Sequence, residues 1–267
     1  MTNNTASVSV NVLAPIELPY SEDFTNVVLG QNGWLIGSRN DNTVMWEVIN
    51  GTPTYTYSND YNAASYMVSP CIHIPAGQYM ISYDYNALGL LPENMTVYIA
   101  TSPAPADWTV IGQYQGITQT PSATRVNYLF NNSTDGVYYI VVKAGSVRGS
   151  NGVTFDNLNI TSTVNVTLNA GSHGSVNPTG TVTVGSGSDF TFCITPDPGY
   201  HVASISVNGT QVQGEDQNNS SVYFYTLYNV TMNSLVDITF TPSSVIVSKY
   251  VNTNTPFGQF VPAAPET

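Results

Sequence analysis

Residues 65–85 read SYMVSPCIHIPAGQYMISYDY, and this stretch decides the fold class. Apolar and polar side chains alternate on both sides of Pro75-Ala76-Gly77, which has the composition of a tight turn. A repeat of two residues places successive side chains on opposite faces of a sheet. The pattern therefore predicts two strands, Ser65–Ile74 and Gln78–Tyr85, joined as a hairpin.

Runs of the same kind continue from Pro19 to Ile160 and predict a sandwich of two β-sheets. Turn signals such as Asn50-Gly51, Asp135-Gly136 and Asn151-Gly152 separate them. About eight strands in ~140 residues are typical of a jelly-roll-like sandwich. The other predicted strands are Thr43–Ile49, Met95–Ala100, Thr109–Gln113, Arg125–Phe130, Val137–Ala144 and Gly152–Ile160.

The order of these patterns predicts an all-β chain with two domains and two extended arms. A length of 267 residues exceeds the usual size of a single domain. We expect an N-terminal arm or strand at 1–16, a jelly-roll domain at 17–161 and a smaller β domain at 162–242. The C-terminal tail at 243–267 is polar and contains several Pro residues, which is typical of an extended segment.

The composition argues against several classes of partner. Only 8% of the residues are charged, the net charge is −12, and Lys and Arg number 5 in all. A surface with so few cations gains little from binding a polyanion, so we expect neither nucleic acid nor an anionic membrane surface as a partner. No run approaches the roughly 20 apolar residues of a membrane-spanning helix. Residues 1–12 lack the pattern of a secretory signal, so we expect either a removed signal or release by another route, as for a virion component.

The first block carries three motifs: LPYSEDF at 18–24, NAASYMVSPCIHIPAGQYMISYDYNA at 62–87 and VTFDNLNI at 153–160. In this order they resemble the cleaved adhesin and choice-of-anchor J modules of bacterial surface proteins. The resemblance implies a jelly roll that adheres or scaffolds, and it implies core positions for Trp34 and Trp46.

The second block, about residues 164–242, has a different signature. GSVNPTG at 174–180 is followed by FCITPDPGYHV at 192–202. These motifs resemble the repeats of bacterial surface proteins that are distantly related to the internalin B repeat. A single copy is present, which indicates a module and not a solenoid.

Catalytic arrangements are weak throughout the sequence. His73, His173 and His201 are isolated from one another and from any nucleophile, and they lack metal-type spacing. We therefore expect no enzymatic activity. Cys71 and Cys193 fall one in each block, so they either link the blocks or remain unpaired. Unpaired thiols are favoured, because a disulfide requires close approach of the two Cβ atoms.

Four acidic residues form the candidate metal site. They lie in the entry and exit motifs of the jelly roll, whose first and last strands commonly lie side by side, and in the strand before Asn86. Carboxylate oxygens suit Ca²⁺. The resemblance to cleaved adhesin modules implies structural calcium and supports Glu22, Asp23 and Asp156 as ligands. The alternative is that these carboxylates are exposed or cap turns. The candidate ligands are Glu22, Asp23, Asp84 and Asp156.

Aromatic residues form the candidate ligand site. Tyr55, Tyr57 and Tyr61 occupy one segment rich in Asn and Ser, and Trp108 follows a Pro-containing loop. Flat aromatic faces with nearby hydrogen-bonding groups are typical of glycan platforms. The alternative is that the tyrosines pack within or across a sheet.

Two functions remain open. The first is a non-catalytic adhesin or binding module of the Bacteroidota type, extracellular or at the cell surface, which contacts a glycan or protein ligand. The second is a structural, decoration or receptor-binding protein of a phage virion, or a filament subunit, that assembles through its terminal arms by adding strands to neighbouring copies.

Overall fold

The computed structural model describes residues 13–31, 33–39, 46–56, 64–103, 105–146, 151–213 and 222–243. Within these ranges every regular element is a β-strand except one short 3-10 turn at Pro105–Asp107. The predicted all-β fold class is thereby confirmed. No helix in the same ranges is long and apolar enough to cross a membrane.

The first block consists of two antiparallel sheets. Its strands are β1 (Tyr20–Glu22), β2 (Leu35–Arg39), β3 (Trp46–Ile49), β4 (Thr52–Tyr55), β5 (Ala64–Val68), β6 (Ile72–Ile74), β7 (Gly77–Ala87), β8 (Glu93–Ala100), β9 (Trp108–Ile117), β10 (Thr124–Asn132), β11 (Gly136–Ser146) and β12 (Val153–Ala170). The first sheet contains β10–β7–β12, with β1 and β4 also paired to β12 and with β3 beyond β4. The second sheet has the order β2–β5–β11–β8–β9, and β6 also pairs with β11.

The inward faces of these two sheets share one apolar core, which makes the block a sandwich. The first sheet contributes residues such as Tyr83 and Phe155, and the second contributes residues such as Met67 and Ile140, all 0% exposed. Alternation along each strand brings these side chains to the same face. The predicted core positions of Trp34 and Trp46 are confirmed, because both are buried in this cluster.

The predicted strand Ser65–Ile74 forms two strands, and its predicted hairpin with Gln78–Tyr85 is wrong, because β7 pairs with β10 and β12 in the first sheet. β5 and β6 both pair with β11 but are separated at Ser69–Cys71. Pro70 has no N–H to donate to a ladder. At this break the N–H of Ile140 instead donates to Oγ of Ser69, at 2.9 Å.

The end of the predicted N-terminal arm joins the sandwich beside β6. Ile16 forms a parallel bridge with Ile72. The N–H of Ile16 donates to the carbonyl of Cys71, and the N–H of His73 donates to the carbonyl of Ile16, both at 2.9 Å. Residues 1–12 of the predicted arm and 244–267 of the predicted tail lie outside the described residues.

The second block is smaller and has its own core. Its strands after β12 are β13 (Gly174–Asn177), β14 (Gly180–Gly185), β15 (Ser188–Pro196), β16 (Tyr200–Val207), β17 (Thr210–Gln213), β18 (Tyr223–Val230) and β19 (Ser234–Pro242). β14, β12, β19, β16 and β17 form one layer, and β13–β15–β18 form a three-stranded sheet. Phe192, Ile194, Val202 and Ile205 are among the buried side chains between them.

One long strand, β12, carries both blocks. The boundary expected at 161/162 falls inside it. Up to Ser162 this strand pairs with β7, and from Thr163 it pairs with β14. The N–H of Ser186 also donates to the carbonyl of Ser162, at 2.7 Å. The two cores therefore lie along one continuous strand and not at the two ends of a linker.

Candidate functional site

An aromatic layer covers the outer face of the second sheet. Met67, Val97 and Ile140 point into the sandwich core, so their neighbours in the same strands point outward. Antiparallel sheets commonly present polar side chains to water on this face. Here the outward cluster is apolar and aromatic, and it consists of Tyr66, Val68, Tyr98, Ala100, Trp108, Tyr139 and Val141.

This layer forms one wall of a cavity that we call the Trp108 groove. Its volume is about 510 Å³, within the range of small-ligand sites, about 300–1,000 Å³. The ring of Trp108 lies 5.3 Å from Tyr66, centroid to centroid, and the same distance from Tyr98. The groove is lined by Leu35, Ile36, Gly37, Tyr66, Val68, Pro103, Pro105 and Trp108.

Local structure fixes the position of Trp108 in the groove. The residue follows the 3-10 turn Pro105–Asp107 and begins β9, where it pairs with Ala100. The indole N–H is buried and has no acceptor among the described residues, so the side chain offers ring surface and not a hydrogen bond. Nζ of Lys143 lies 5.9 Å from the ring centroid of Tyr66 and supplies a cation beside the aromatic layer.

Tyr55, the member of the predicted tyrosine cluster that the structure describes, is not at this groove. Tyr55 is 0% exposed, and its ring packs 6.0 Å from that of Trp46, centroid to centroid. The register of β3 with β4 pairs these two residues on the inward face, which corrects the prediction that Tyr55 contacts a glycan. Tyr57 and Tyr61 lie outside the described residues. Of the two predicted aromatic residues that the structure describes, Trp108 lines the groove and Tyr55 does not.

Two of the predicted metal ligands meet on the outer face of the first sheet. Asp84 in β7 and Asp156 in β12 are cross-strand partners. They line a second cavity of about 550 Å³, which we call the Asp84–Asp156 groove. Its other lining residues are mostly polar and include Asn50, Thr52, Thr54, Asn86, Thr154 and Asn157.

Neighbouring protein groups already donate hydrogen bonds to the carboxylates of both Asp84 and Asp156. Nη1 of Arg125 lies 3.1 Å from Oδ1 of Asp84, and Nδ2 of Asn157 donates to Oδ2 of Asp84 at 2.8 Å. Burial is the main cause that raises the pKa of Asp156, and the charges of Asp84 and Asp23 raise it further. Hydrogen bonds from Asn157 and Thr52 act in the opposite direction.

The other two candidate ligands cap the turn after β1. Oε1 of Glu22 accepts the N–H of Phe24, and Oδ1 of Asp23 accepts the N–H of Thr25, both at 3.0 Å. The hydrogen bonds from Thr25 lower the pKa of Asp23. Across the described ranges, no three His, Cys, Asp or Glu side chains are grouped so that they could hold a metal ion. Calcium binding by the four carboxylates stays a prediction.

The histidines and cysteines occupy structural positions. Both ring nitrogens of His73 are engaged, with Nδ1 2.8 Å from Glu17 and Nε2 2.6 Å from Asp135. The His173 ring stacks on Tyr200 at 4.0 Å, and Nδ1 of the buried His201 lies 3.3 Å from Oγ of Ser243. The favoured prediction that the cysteines are unpaired is confirmed, because both are free thiols.

Comparison with known proteins finds a family match for the second block. Residues 164–244 match the family model of the divergent InlB B-repeat domain, in agreement with the resemblance of the second block. No curated protein matches the chain.

The solved structures that are similar to the chain cover about half of it. One cleaved adhesin domain of Lys-gingipain from Porphyromonas gingivalis is 14% identical, covers 54% of this chain and 97% of its own, and has a TM-score of 0.43. Another cleaved adhesin domain of the same protein is 17% identical, covers 54% and 98%, and has a TM-score of 0.41. A family 11 carbohydrate-binding module from Clostridium thermocellum, solved with a mixed-linked tetrasaccharide, is 14% identical, covers 53% and 93%, and has a TM-score of 0.36.

Proposed function

We propose that the chain is a non-catalytic binding module, extracellular or at the cell surface, that holds a neutral glycan in the Trp108 groove. The observation that carries this proposal is the aromatic layer on the outer face of the second sheet, with Trp108 and Tyr66 at the wall of a cavity of about 510 Å³.

The chemistry of the groove favours a sugar, and its openness favours an extended one. The C–H faces of a pyranose are apolar and pack on aromatic rings, while its hydroxyls stay at the wet rim. Leu35 at the edge strand is 51% exposed, so the groove is open to an extended ligand and not only to a small enclosed one.

The charge of the chain favours a neutral sugar over an acidic one. A net charge of −12 repels uronic acids and sulfated sugars. Lys143, beside Tyr66, is the one Lys or Arg that the described residues place against the aromatic layer.

A glycan microarray of neutral and acidic oligosaccharides tests the proposal. We expect the full chain to bind neutral members and Trp108→Ala to weaken that binding about 30-fold, the equivalent of about 2 kcal/mol for a central aromatic contact. Leu90→Ala is the control, because Leu90 is 80% exposed and does not line the groove.

The Trp108→Phe variant distinguishes a loss of binding from a loss of folding. Phe keeps an aromatic ring against Tyr66 and Tyr98, so we expect the fold to persist and binding to fall less than with Ala. Unchanged near-ultraviolet circular dichroism identifies a folded variant. If neutral glycans bind the wild type and Trp108→Ala equally, the groove is not the site, and if no glycan binds, the ligand class is wrong.

A second candidate function, self-assembly, is favoured by one strand. β18 is an edge strand within the described part of the second block, and it exposes Phe224 (68%) and Tyr228 (76%). Its sequence YFYTLYNV contains neither the charge nor the Pro that commonly protects an edge. A second copy of the chain could pair along β18 or through its N-terminal arm.

Sedimentation velocity tests this second candidate. Pairing along β18 predicts concentration-dependent dimers or larger species that Phe224→Lys reduces, because a charged edge opposes strand addition. A wild-type chain that stays monomeric at high concentration contradicts it.

A further inference from the structure

A two-residue turn joins β3 to β4 and consists of Asn50 and Gly51. Ile49 and Thr52 are paired on either side of it, and both turn residues have positive φ, 52° and 81°. This is the geometry of a tight hairpin turn. Asn50 is exposed, and its side chain makes no hydrogen bond to any described residue.

An Asn-Gly pair has an intrinsic reaction open to it. The backbone nitrogen of the Gly residue attacks Cγ of the Asn side chain, a C–N bond forms, and the amide nitrogen leaves as ammonia. The resulting succinimide takes up water and opens to Asp or to isoaspartate. Gly at the second position lacks a Cβ that would hinder the attack.

The second block contains the same kind of turn, but its Asn side chain, that of Asn208, accepts a hydrogen bond. Asn208 and Gly209 join β16 to β17 with φ values of 50° and 77°. Oδ1 of Asn208 accepts the N–H of Leu235 at 2.8 Å, and the N–H of Asn208 donates to the carbonyl of Leu235 at 2.8 Å. To react, this side chain must first break its hydrogen bond.

In a third Asn-Gly pair, Asn151-Gly152, the backbone nitrogen that would attack the side chain already makes a hydrogen bond. The N–H of Gly152 donates to Oε1 of Glu93, and both residues are buried. The nucleophilic nitrogen next to Asn151 is therefore engaged in the interior of the fold.

We propose that Asn50 is a site of spontaneous deamidation in the folded protein, and that the fold protects Asn208 and Asn151 from the same reaction. Asn50 lines the Asp84–Asp156 groove. The product therefore places a further carboxylate at a surface that already carries two. Isoaspartate also lengthens the backbone within a two-residue turn, which disturbs the pairing of β3 with β4.

Peptide mapping by mass spectrometry tests this proposal on the full chain. The protein is incubated at mildly alkaline pH, once folded and once in concentrated urea, and digested at intervals. Fragmentation that separates Asp from isoaspartate locates the modified residue. In urea we expect similar rates at every Asn-Gly pair, including Asn32-Gly33.

In the folded protein we expect Asn50 to react about tenfold faster than Asn208, a factor that corresponds to about 1.4 kcal/mol in activation free energy. The ratio of the folded-state rate to the rate in urea should be smaller at Asn151 than at Asn208. Equal folded-state rates at Asn50 and Asn208, or a faster rate at Asn208, overturn the proposal. These rates do not depend on any glycan, so the result is independent of the function proposed for the Trp108 groove.

Discussion

Replacing Gly152 by Ala should lower the free energy of unfolding of the first block more than Gly116→Ala or Gly37→Ala does. Gly152 lies just before β12 with φ of +99°. A Cβ there would overlap the carbonyl oxygen of Tyr55 and lie 2.9 Å from its carbonyl carbon and 3.0 Å from Cα of Thr56. These are backbone atoms, so the strand β4 or the loop must move.

The expected cost has two parts. An L-residue in the left-handed region costs about 1–2 kcal/mol. Displacement of the loop also weakens the hydrogen bond from Gly152 to the Glu93 carboxylate, which is 1% exposed, and a bond to a charged group contributes about 1.5–3 kcal/mol. We expect the free energy of unfolding to fall by about 3–5 kcal/mol in total.

Two matched variants separate these parts. Gly116→Ala introduces a side chain at φ of +68° where no atom lies within 4 Å, so it should cost only the conformational part, about 1–2 kcal/mol. Gly37→Ala meets nothing within 4 Å and should change the stability by no more than about 0.5 kcal/mol.

Urea denaturation followed by tryptophan fluorescence is the assay, because the chain has 3 Trp residues and all lie in the first block. The expected order of midpoints is wild type and Gly37→Ala highest, then Gly116→Ala, then Gly152→Ala. A midpoint for Gly152→Ala equal to that of Gly116→Ala refutes the argument from close approach.

Two further predictions concern pH and calcium. Hydrogen bonds that His73 donates to Glu17 and to Asp135 raise the pKa of His73, so this cluster stabilises the fold fully below about pH 6.5 and loses its effect as the pH rises through the raised pKa. The melting temperature of His73→Gln should therefore fall below that of the wild type at pH 5 to 6 and approach it only as the pH rises through the raised pKa of His73; a constant difference across pH contradicts this. Calcium binding by the acidic residues predicts that a chelator lowers the melting temperature of the wild type but not of Asp156→Asn, and an unchanged wild type contradicts it.

Local patterns predicted eight strand segments of the first block but not β1, β2 or β4. Turn residues such as Asn50-Gly51 mark hairpins because they accept positive φ, and apolar alternation marks the buried face. The break inside Ser65–Ile74 had a visible signal in Pro70, which cannot donate to a ladder. The continuity of β12 also had a visible signal in the sequence, because ITSTVNV at 160–166 contains neither Gly nor Pro.

The functional surface was harder to predict because it depends on which face each residue takes. Tyr55 and Tyr66 both lie in alternating strands, yet Tyr55 is buried and Tyr66 lies on the outer face. Where both faces of a strand are apolar, alternation does not reveal which one is internal. The groove also joins β2, β5 and the loop before β9, whose proximity follows from sheet order and from no local pattern.

Nuclear magnetic resonance of the indole N–H groups tests the central claim most directly. The chain is labelled with nitrogen-15 and titrated with the neutral oligosaccharide that binds best on the array. Binding in the Trp108 groove predicts that the Trp108 signal shifts progressively while those of Trp34 and Trp46, both 1% exposed in the core, stay in place. A glycan that binds without moving the Trp108 signal would contradict the account.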